Sequence, residues 1–356
     1  MPTLQLNSVC LHIQNFNVLD EVSFEVDKEE ITVLTGPNGC GKSNLLQCIA
    51  GQIRHESGDI LFNNKNVNRL SPMKRKAFLV RDWEIAPRTK VVDAITAIAR
   101  QWGVPSKERA QCVDQAMIAM KLLHLSERRV RSLSTSEHKR IYPACALAAH
   151  PEWILADTPF AYTHESLRNE LMQNMTQLCR EKEIGLILAT ENLPEAFSIA
   201  DKLIVMDRGK LLQVDHPRRI QQYPNSDSVA AFINHANIVE ADLIQQAVGM
   251  AYVKSNLGEF SGMITCPPEN YIEGKKVHLC IRPESIKILQ MPTDENCFQG
   301  RIINSKNKGI YGIYTIETEN GTTLEVIEQN PRFLDSIEEK LYFWIAPDDI
   351  AIVSKK

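Results

Sequence analysis

Apolar residues near the start of the chain fall into short runs with two different periods. Val22 to Val26 alternate apolar and polar side chains, and Ile31 to Thr35 form a short run typical of a strand. A glycine-rich segment separates this run from Asn44 to Ala50, which favours a helix, and Gly51 is placed to end that helix. The pattern therefore predicts strands, a loop and a helix, in that order.

The pattern becomes helical between residues 74 and 150. The stretches Val91 to Trp102 and Glu108 to Leu123 carry apolar residues at helical spacing, with Gly103 and Pro105 between them. We interpret residues 74–150 as a helical subdomain inserted into a larger domain.

Short apolar runs that predict buried strands return after residue 150. They are Trp153 to Ala156, Gly185 to Thr190 and Leu203 to Met206, and the predicted helices Ser166 to Arg180 and Pro194 to Ala200 separate them. Strands that alternate with helices indicate a mainly parallel sheet covered on both faces. The predicted class of this part of the chain is α/β.

Past Ala236 the pattern changes to short strands and turns. Residues 281–288 (IRPESIKI) are echoed by residues 345–352 (IAPDDIAI), which indicates either a duplicated β unit or a chance similarity of two strand entries. We therefore predict one domain at 1–236 and a second, mainly β domain at 237–356.

Composition narrows the class of protein. A chain of 356 residues with 44% hydrophobic residues can bury a core in each of two domains. Its 40 basic and 44 acidic residues leave a net charge of -4, which argues against nucleic acid as a partner. Nine scattered cysteines without a C-x-x-C pair predict reduced thiols, and the lack of a long apolar stretch predicts a cytosolic chain.

The segment from Gly36 to Ser43 reads G-P-N-G-C-G-K-S and fits the phosphate-binding pattern G-x-x-x-x-G-K-[ST]. Glycines let backbone N–H groups curl round a polyphosphate, a lysine reaches its terminal phosphates, and a serine hydroxyl can ligate Mg²⁺. A glycine-rich turn without a ligand is the alternative, but the strand before it and the helix after it favour nucleotide binding. The predicted ATP-binding residues here are Gly36, Pro37, Asn38, Gly39, Cys40, Gly41, Lys42, Ser43 and Asn44.

A carboxylate at the end of a buried strand would complete such a site. Asp157 follows the run Trp153 to Ala156 and is placed to hold Mg²⁺ together with Ser43. An aspartate after a strand can also be only a helix N-cap, and the phosphate loop upstream favours the metal-binding interpretation. The predicted cofactors are ATP and Mg²⁺.

The sequence resembles the ATP-binding subunits of ABC transporters, in the importer group with a C-terminal regulatory domain found in maltose, sulfate, iron, polyamine and molybdate or tungstate systems. The similarity covers about Leu4 to Val353 and rests on these segments: Gly36 to Ser43, Ile49 to Gly51, Ser57 to Ile60, Leu133 with Ser134, Asp157 with Pro159, Ala200 to Gly209, Ile281 to Glu284 and Phe298 to Ile302.

The resemblance implies a P-loop NTPase domain of the ABC type with an inserted helical subdomain, followed by an OB-like domain of the TOBE type. It also implies transmembrane permease subunits as partners and a homodimer, or a heterodimer with a related ATP-binding chain. The expected location is the cytosolic face of the cell membrane, as a peripheral subunit.

Two departures from the family pattern concern contacts to the metal ion and to the nucleotide. The family's glutamine after the third strand corresponds to Arg81, and a cation there cannot ligate a metal. The family's L-S-G-G-Q signature, which closes on the γ-phosphate of the opposite subunit, appears as L-S-T-S-E from Leu133 to Glu137. Ser134 is retained as a contact to that nucleotide, and both glycines are replaced. Ser134 and Glu137 also fit a capping box, so the segment is either a weakened signature or simply a helix start.

Two further departures concern hydrolysis. The family's general-base glutamate corresponds to Thr158, which has no carboxylate to accept a proton, and the switch histidine corresponds to Glu191. Loss of a general base typically costs on the order of 10² to 10⁴ in rate. The catalytic positions are therefore Asp157, Thr158, Glu191 and Arg81, and the last three carry replacements.

Two functional hypotheses follow from the motifs and their replacements. The first is a transport ATPase subunit with weakened hydrolysis, and the second is a catalytically silent, nucleotide-responsive subunit that regulates or completes an assembly. Heptad arms or basic stripes, expected of a P-loop ATPase acting on DNA, are not visible in the sequence. The C-terminal segments lean slightly toward oxyanion systems such as molybdate, tungstate or sulfate.

Overall fold

A computed structural model of the chain describes residues 4–14, 16–161, 163–247, 249–265, 274–293, 295–333 and 339–354. The chain divides into two compact units, residues 1–217 and 218–356. This division precedes the predicted boundary at residue 236, because the helix Asp227–Asn234 contacts the strands Asn237–Ala247 and Lys276–Ile281 of the second unit.

The first unit alternates strands and helices. Its strands are β1 (Leu4–Ile13), β2 (Phe16–Val26), β3 (Ile31–Thr35), β4 (Ser57–Phe62), β5 (Lys65–Asn66), β6 (Ala77–Val80), β7 (Trp153–Asp157), β8 (Gly185–Ala189), β9 (Lys202–Asp207) and β10 (Lys210–Asp215). Its helices are α1 (Lys42–Ala50), α2 (Pro72–Arg75), α3 (Val91–Gln101), α4 (Ser106–Ala119), α5 (Thr135–Lys139), α6 (Ile141–Ala149), α7 (Glu165–Glu181) and α8 (Leu193–Ile199), and α9 (Pro217–Gln222) begins where the unit ends.

The central sheet has the strand order β10-β9-β3-β8-β7-β6, in which β10 is antiparallel and the other strands are parallel. The predicted parallel sheet is therefore confirmed. Because parallel strands end at the same edge, the carboxyl ends of β3, β7 and β8 lie side by side. Ligands of open α/β sheets bind at this edge.

A second, antiparallel sheet with the order β2-β1-β4-β5 shares its core with the central sheet. One continuous apolar cluster contains residues of both sheets and of α1, including the fully buried Leu45, Leu46 and Ile49. Burying these side chains fixes the position of α1 and of the loop that precedes it.

The predicted helical subdomain needs a correction at its start. Ala77 to Val80 form β6, a strand of the central sheet, so the longer helices of this region begin only at α3. A run of four apolar residues is too short to tell a strand from a helix by periodicity. Further on, the helical segment breaks at Arg140 between α5 and α6, and Pro143 lies in the first turn of α6, where its missing N–H is tolerated.

The second unit is mainly β. Its elements are α10 (Asp227–Asn234), β11 (Asn237–Ala247), β12 (Met250–Ser255), β13 (Gly258–Ile264), β14 (Lys276–Ile281), β15 (Lys287–Leu289), β16 (Cys297–Asn307), β17 (Tyr311–Thr318), β18 (Thr323–Gln329), β19 (Lys340–Trp344) and β20 (Ile350–Ser354). The strands β11-β12-β13-β20-β14 close into a barrel, and β15-β19-β16-β17-β18 form a sheet beside it. A closed barrel of this size agrees with the predicted OB-like domain.

The two echoed segments have the same local structure. Each is a strand, a 3₁₀ turn and a strand: β14 and β15 flank Pro283–Ser285, and β19 and β20 flank Pro347–Asp349. β14 pairs with β20 in the barrel, and β15 pairs with β19 in the sheet, both antiparallel. The first segment therefore runs from the barrel to the sheet, and the second runs from the sheet to the barrel. This shared arrangement favours a duplicated unit over chance similarity.

The cysteines in the described part of the chain are free thiols, and Cys266 lies outside the described residues. Cys40, Cys48, Cys145 and Cys179 are among the buried ones. Burial raises the pKa of the Cys48 thiol to about 11 and raises the pKa of Cys40 as well. These thiols therefore stay protonated at neutral pH and act as small apolar groups.

Candidate nucleotide-binding site

The loop between β3 and α1 is shaped by its glycines. Gly36, Gly39 and Gly41 have φ values of 149°, 77° and 108°, which side-chain-bearing residues rarely adopt. A Cβ on Gly36 would lie 2.1 Å from the carbonyl oxygen of Met206, so this position has no room for a side chain. The resulting backbone is of the kind that binds phosphate through its N–H groups at the start of a helix.

The ammonium group of Lys42 lies inside this loop. Only 7% of the residue is exposed, and Nζ donates hydrogen bonds to the carbonyl oxygens of Gly36 at 2.8 Å and Pro37 at 3.0 Å. Its third neighbour is the Glu191 carboxylate, with Oε1 at 3.5 Å. The loop thus carries a buried cation whose charge is met by a carboxylate from another part of the chain.

A cavity of about 490 Å³ surrounds this group at the carboxyl edge of the central sheet. That volume lies within the range of small-molecule sites. The structure brings together around it most of the residues singled out in the sequence, which are Asn38, Gly39, Cys40, Gly41, Lys42, Ser43, Asn44, Asp157, Thr158 and Glu191. Gly36 and Pro37 contribute through the carbonyl oxygens that hold Lys42.

Ser43 and Asp157 line the same cavity, one from the first turn of α1 and the other from the end of β7. Mg²⁺ in nucleotide sites is commonly held by one or two protein oxygens together with water and phosphate oxygens. A hydroxyl and a carboxylate are therefore a donor set that fits Mg²⁺ bound to a polyphosphate.

Thr158 follows Asp157 in an unusual backbone conformation. Its φ is 43°, in the left-handed region, and its N–H donates to the carbonyl oxygen of Ala189 at 2.9 Å. A β-branched residue in this region is an outlier that costs on the order of 1–2 kcal/mol. The hydrogen bond to Ala189 at the end of β8 fixes this conformation, so the side chain at position 158 is held at the cavity wall.

Sequence reasoning missed a cluster of polar side chains in the cavity wall. Thr190 Oγ1 donates to Glu195 Oε2 at 2.5 Å and accepts from the N–H of Asn192 at 3.1 Å, while Glu195 Oε1 lies 3.9 Å from Arg168 Nε. Asn192 Oδ1 accepts from the N–H of Glu195 and caps α8. The spacing Asn192-x-x-Glu195 is a capping signal that the sequence contains. The other wall residues that sequence reasoning missed are Phe160 and Ala161.

Arg81 and Ser134 are not among the residues that line this cavity. Arg81 is exposed directly after β6. Ser134 caps α5: its Oγ accepts from the N–H of Glu137 at 3.3 Å, and Glu137 Oε2 accepts from both the N–H and the hydroxyl of Ser134 at 2.8 Å. The predicted capping box is therefore present.

Comparison with known proteins relates both units to described domains. A family model described as ABC transporter matches residues 19–161, and one described as TOBE domain matches residues 279–353. Spermidine/putrescine import ATP-binding protein PotA 2 of Pseudomonas aeruginosa is 29% identical over 333 residues, covering 92% of this chain and 91% of its own length. The PotA protein of Legionella pneumophila is 27% identical over 354 residues, covering 96% of this chain and 93% of its own.

Solved structures show the same fold in the first unit. The ADP conformation of an ATP-binding cassette of an ABC transporter matches with a TM-score of 0.58 at 22% identity, over 65% of this chain and 98% of that one. The dimeric structure of a bacterial ABC transporter cassette matches with a TM-score of 0.54 at 19% identity, over 60% of this chain and 98% of that one. The two family matches therefore show that the chain carries an ABC transporter domain followed by a C-terminal TOBE domain.

Proposed function

We propose that this chain is the ATP-binding subunit of an ABC importer, which binds Mg·ATP, dimerises and drives a transmembrane partner. The observation that carries the proposal is the cavity at the carboxyl edge of the central sheet, whose wall contains Lys42, Ser43 and Asp157. Lys42 would hold the terminal phosphates, the loop N–H groups the remaining ones, and Ser43 and Asp157 the Mg²⁺. The metal ion would neutralise phosphate charge.

The proposed partners are transmembrane permease subunits and a second ATP-binding chain, either a copy of this one or a relative. Within the described residues, the structure contains no helix long and apolar enough to span a membrane. In this proposal the chain is a peripheral subunit on the cytosolic face, and the membrane passage belongs to its partners.

We further propose that hydrolysis in this chain's own cavity is weak. Thr158 offers a hydroxyl where a general base would have to accept a proton, and Glu191 brings a negative charge to the place of the family's switch histidine. Both residues line the cavity. Loss of the base alone lowers the rate by roughly 10² to 10⁴.

The proposed cargo is a polyamine. The sequence leans toward oxyanion systems, but the relatives that match over more than nine tenths of this chain are named for spermidine and putrescine import. Relatives that align over both domains are a stronger guide to the cargo than a few C-terminal segments.

Steady-state Mg·ATP hydrolysis by the purified chain, with nucleotide binding measured in the same samples, tests the proposal. We expect binding that Lys42→Ala abolishes and turnover below about 0.01 s⁻¹. The double variant Thr158→Glu/Glu191→His should hydrolyse ATP about 10²-fold faster than its matched control Thr158→Gln/Glu191→His, which has the same size but no base.

Three results would contradict parts of the proposal. Equal nucleotide binding by the wild type and by a folded Lys42→Ala variant would mean that the cavity is not the nucleotide site. Wild-type turnover near 1 s⁻¹ would agree with the transport function and contradict the proposal that hydrolysis is weak. Equal rates for the glutamate and glutamine double variants would show that position 158 does not limit the reaction.

A further inference from the structure

The ammonium group of Lys42 has acceptors of the protein around it on every side. An ammonium group has three N–H donors. Two of them donate to the carbonyl oxygens of Gly36 and Pro37. The third faces Glu191 Oε1 at 3.5 Å and Cys40 Sγ at 3.6 Å. The group that a P-loop presents to a terminal phosphate therefore already has a carboxylate beside it.

The position of Glu191 follows from the sheet. β3 and β8 are parallel neighbours with Leu34 opposite Ala189, so the loops that follow them leave the sheet side by side. The N–H of Thr190 donates to the carbonyl oxygen of Leu34 at 3.0 Å, and the hydroxyl of Thr190 accepts from Asn192. The backbone is thus held on both sides of Glu191, and its carboxylate lies in the cavity wall beside Lys42.

Exposure decides which partner can move. Lys42 is 7% exposed, whereas the Glu191 side chain is 40% exposed. The cation is therefore fixed inside the loop, and the carboxylate is the group that can be displaced toward solvent. A phosphate that approaches Lys42 has to compete with Glu191 for the same charge.

We propose that Glu191 is an internal ligand of Lys42 that sets the nucleotide preference of the cavity: it competes with the third phosphate of a nucleoside triphosphate, so that the diphosphate binds at least as tightly. The inference rests on nucleotide binding in this cavity, as proposed above. A triphosphate adds negative charge next to an existing carboxylate, and like charges at such distances repel in a partly buried site. The diphosphate brings less charge to that carboxylate.

Isothermal titration of the full-length chain with Mg·ATP and with Mg·ADP tests the inference. In the wild type the dissociation constant for ATP should equal or exceed that for ADP. Glu191→Gln keeps the shape of the side chain and removes its charge, and it should lower the ratio of the ATP constant to the ADP constant about tenfold. Glu191→Ser should shift the ratio in the same direction.

A matched control is available on the surface. Glu127 pairs with Lys90 at 2.7 Å, both side chains are exposed, and neither lines the cavity. Glu127→Gln removes one carboxylate from a lysine pair and should leave the ratio unchanged. An equal shift in Glu127→Gln would mean that net charge, and not the Lys42 contact, sets the preference.

The outcomes separate this inference from the proposed function. If wild type and both Glu191 variants bind the two nucleotides with the same ratio, the inference is wrong and nucleotide binding stands. If the wild type binds neither nucleotide but Glu191→Gln binds ATP, the carboxylate blocks the site and the inference is supported. If the chain and its Glu191 variants all fail to bind either nucleotide, both the proposed function and the inference are wrong.

Discussion

The helices α1 and α5 both begin where the family places a phosphate contact, yet their first turns differ. α1 starts after Gly41, and its first residues are Lys42, Ser43 and Asn44, so no carboxylate of its own occupies its N-terminal N–H groups. α5 starts after Ser134, and Glu137 from its own first turn accepts hydrogen bonds from the N–H and hydroxyl of that serine.

From this difference we expect a helix N-terminus to bind an external anion only when its own first turn leaves the N–H groups free. Glycines open the first turn of α1, and a capping box closes that of α5. The side chains at Thr135 and Ser136, where the family has glycines, and the carboxylate of Glu137 all act against a phosphate there. No carboxylate of α1 lies in its own first turn, whereas a carboxylate of α5 already occupies the start of α5.

The largest effect should come from closing the open loop. Gly36→Ala places a Cβ 2.1 Å from the Met206 carbonyl oxygen, whereas a Cβ on Gly39 meets no atom within 4 Å. We expect Gly36→Ala to lower the free energy of unfolding by about 3 kcal/mol, and Gly39→Ala by about 1 kcal/mol from its positive φ alone. Urea unfolding measures both. Equal losses would show that packing against Met206 does not shape the loop.

The second prediction compares the two serines. Ser134→Ala removes the cap of α5 and should cost about 1 kcal/mol of unfolding free energy. Ser43→Ala removes an exposed hydroxyl from α1 and should change that free energy by less than about 0.5 kcal/mol. In titrations with and without Mg²⁺ the order should reverse, because only Ser43→Ala is expected to reduce the gain in nucleotide affinity that Mg²⁺ provides.

The smallest effect concerns pH. The N–H of Ser134 and then its hydroxyl lower the pKa of the Glu137 carboxyl, so the unfolded chain takes up this proton before the folded one does. The stabilisation is therefore complete above about pH 4.5 and is lost as the pH falls through the lower pKa of the folded state. Unfolding of Glu137→Gln should depend less on pH in this window, while Glu127→Gln serves as control. Parallel pH profiles for the wild type and Glu137→Gln would contradict the capping role.

Sequence alone predicted the parts of the molecule that depend on neighbours in the chain. The phosphate loop, α1 with its stop at Gly51, and the capping box at Ser134 are all set by residues within a few positions of one another. Asp157 was predicted as a residue of the site because a buried strand precedes it. The crossing of the duplicated segments was not visible, because strand pairing joins positions such as Ile281 and Ile350.

The same limit explains what sequence reasoning missed in the site. Thr190 bonds to the Glu195 side chain because the start of α8 brings the two together. Lys42 and Glu191 are in contact although they are separated in the sequence by most of the first unit. Arg168 reaches the cavity from α7. Single residues of these types carry no periodic signal, so only the assembled sheet shows that they meet.

The far end of α1 is held by a buried arginine. Arg75 is 4% exposed, and its Nη1 donates to the carbonyl oxygens of Cys48 at 2.7 Å and Ile49 at 2.9 Å, the last turn of the helix. Helices normally fray at this end, because their final carbonyl groups lack partners. With those carbonyl groups bound, amide hydrogens in the last turn of α1 should exchange with solvent about as slowly as those in its middle. We therefore expect the helix that follows the phosphate loop to open as one unit.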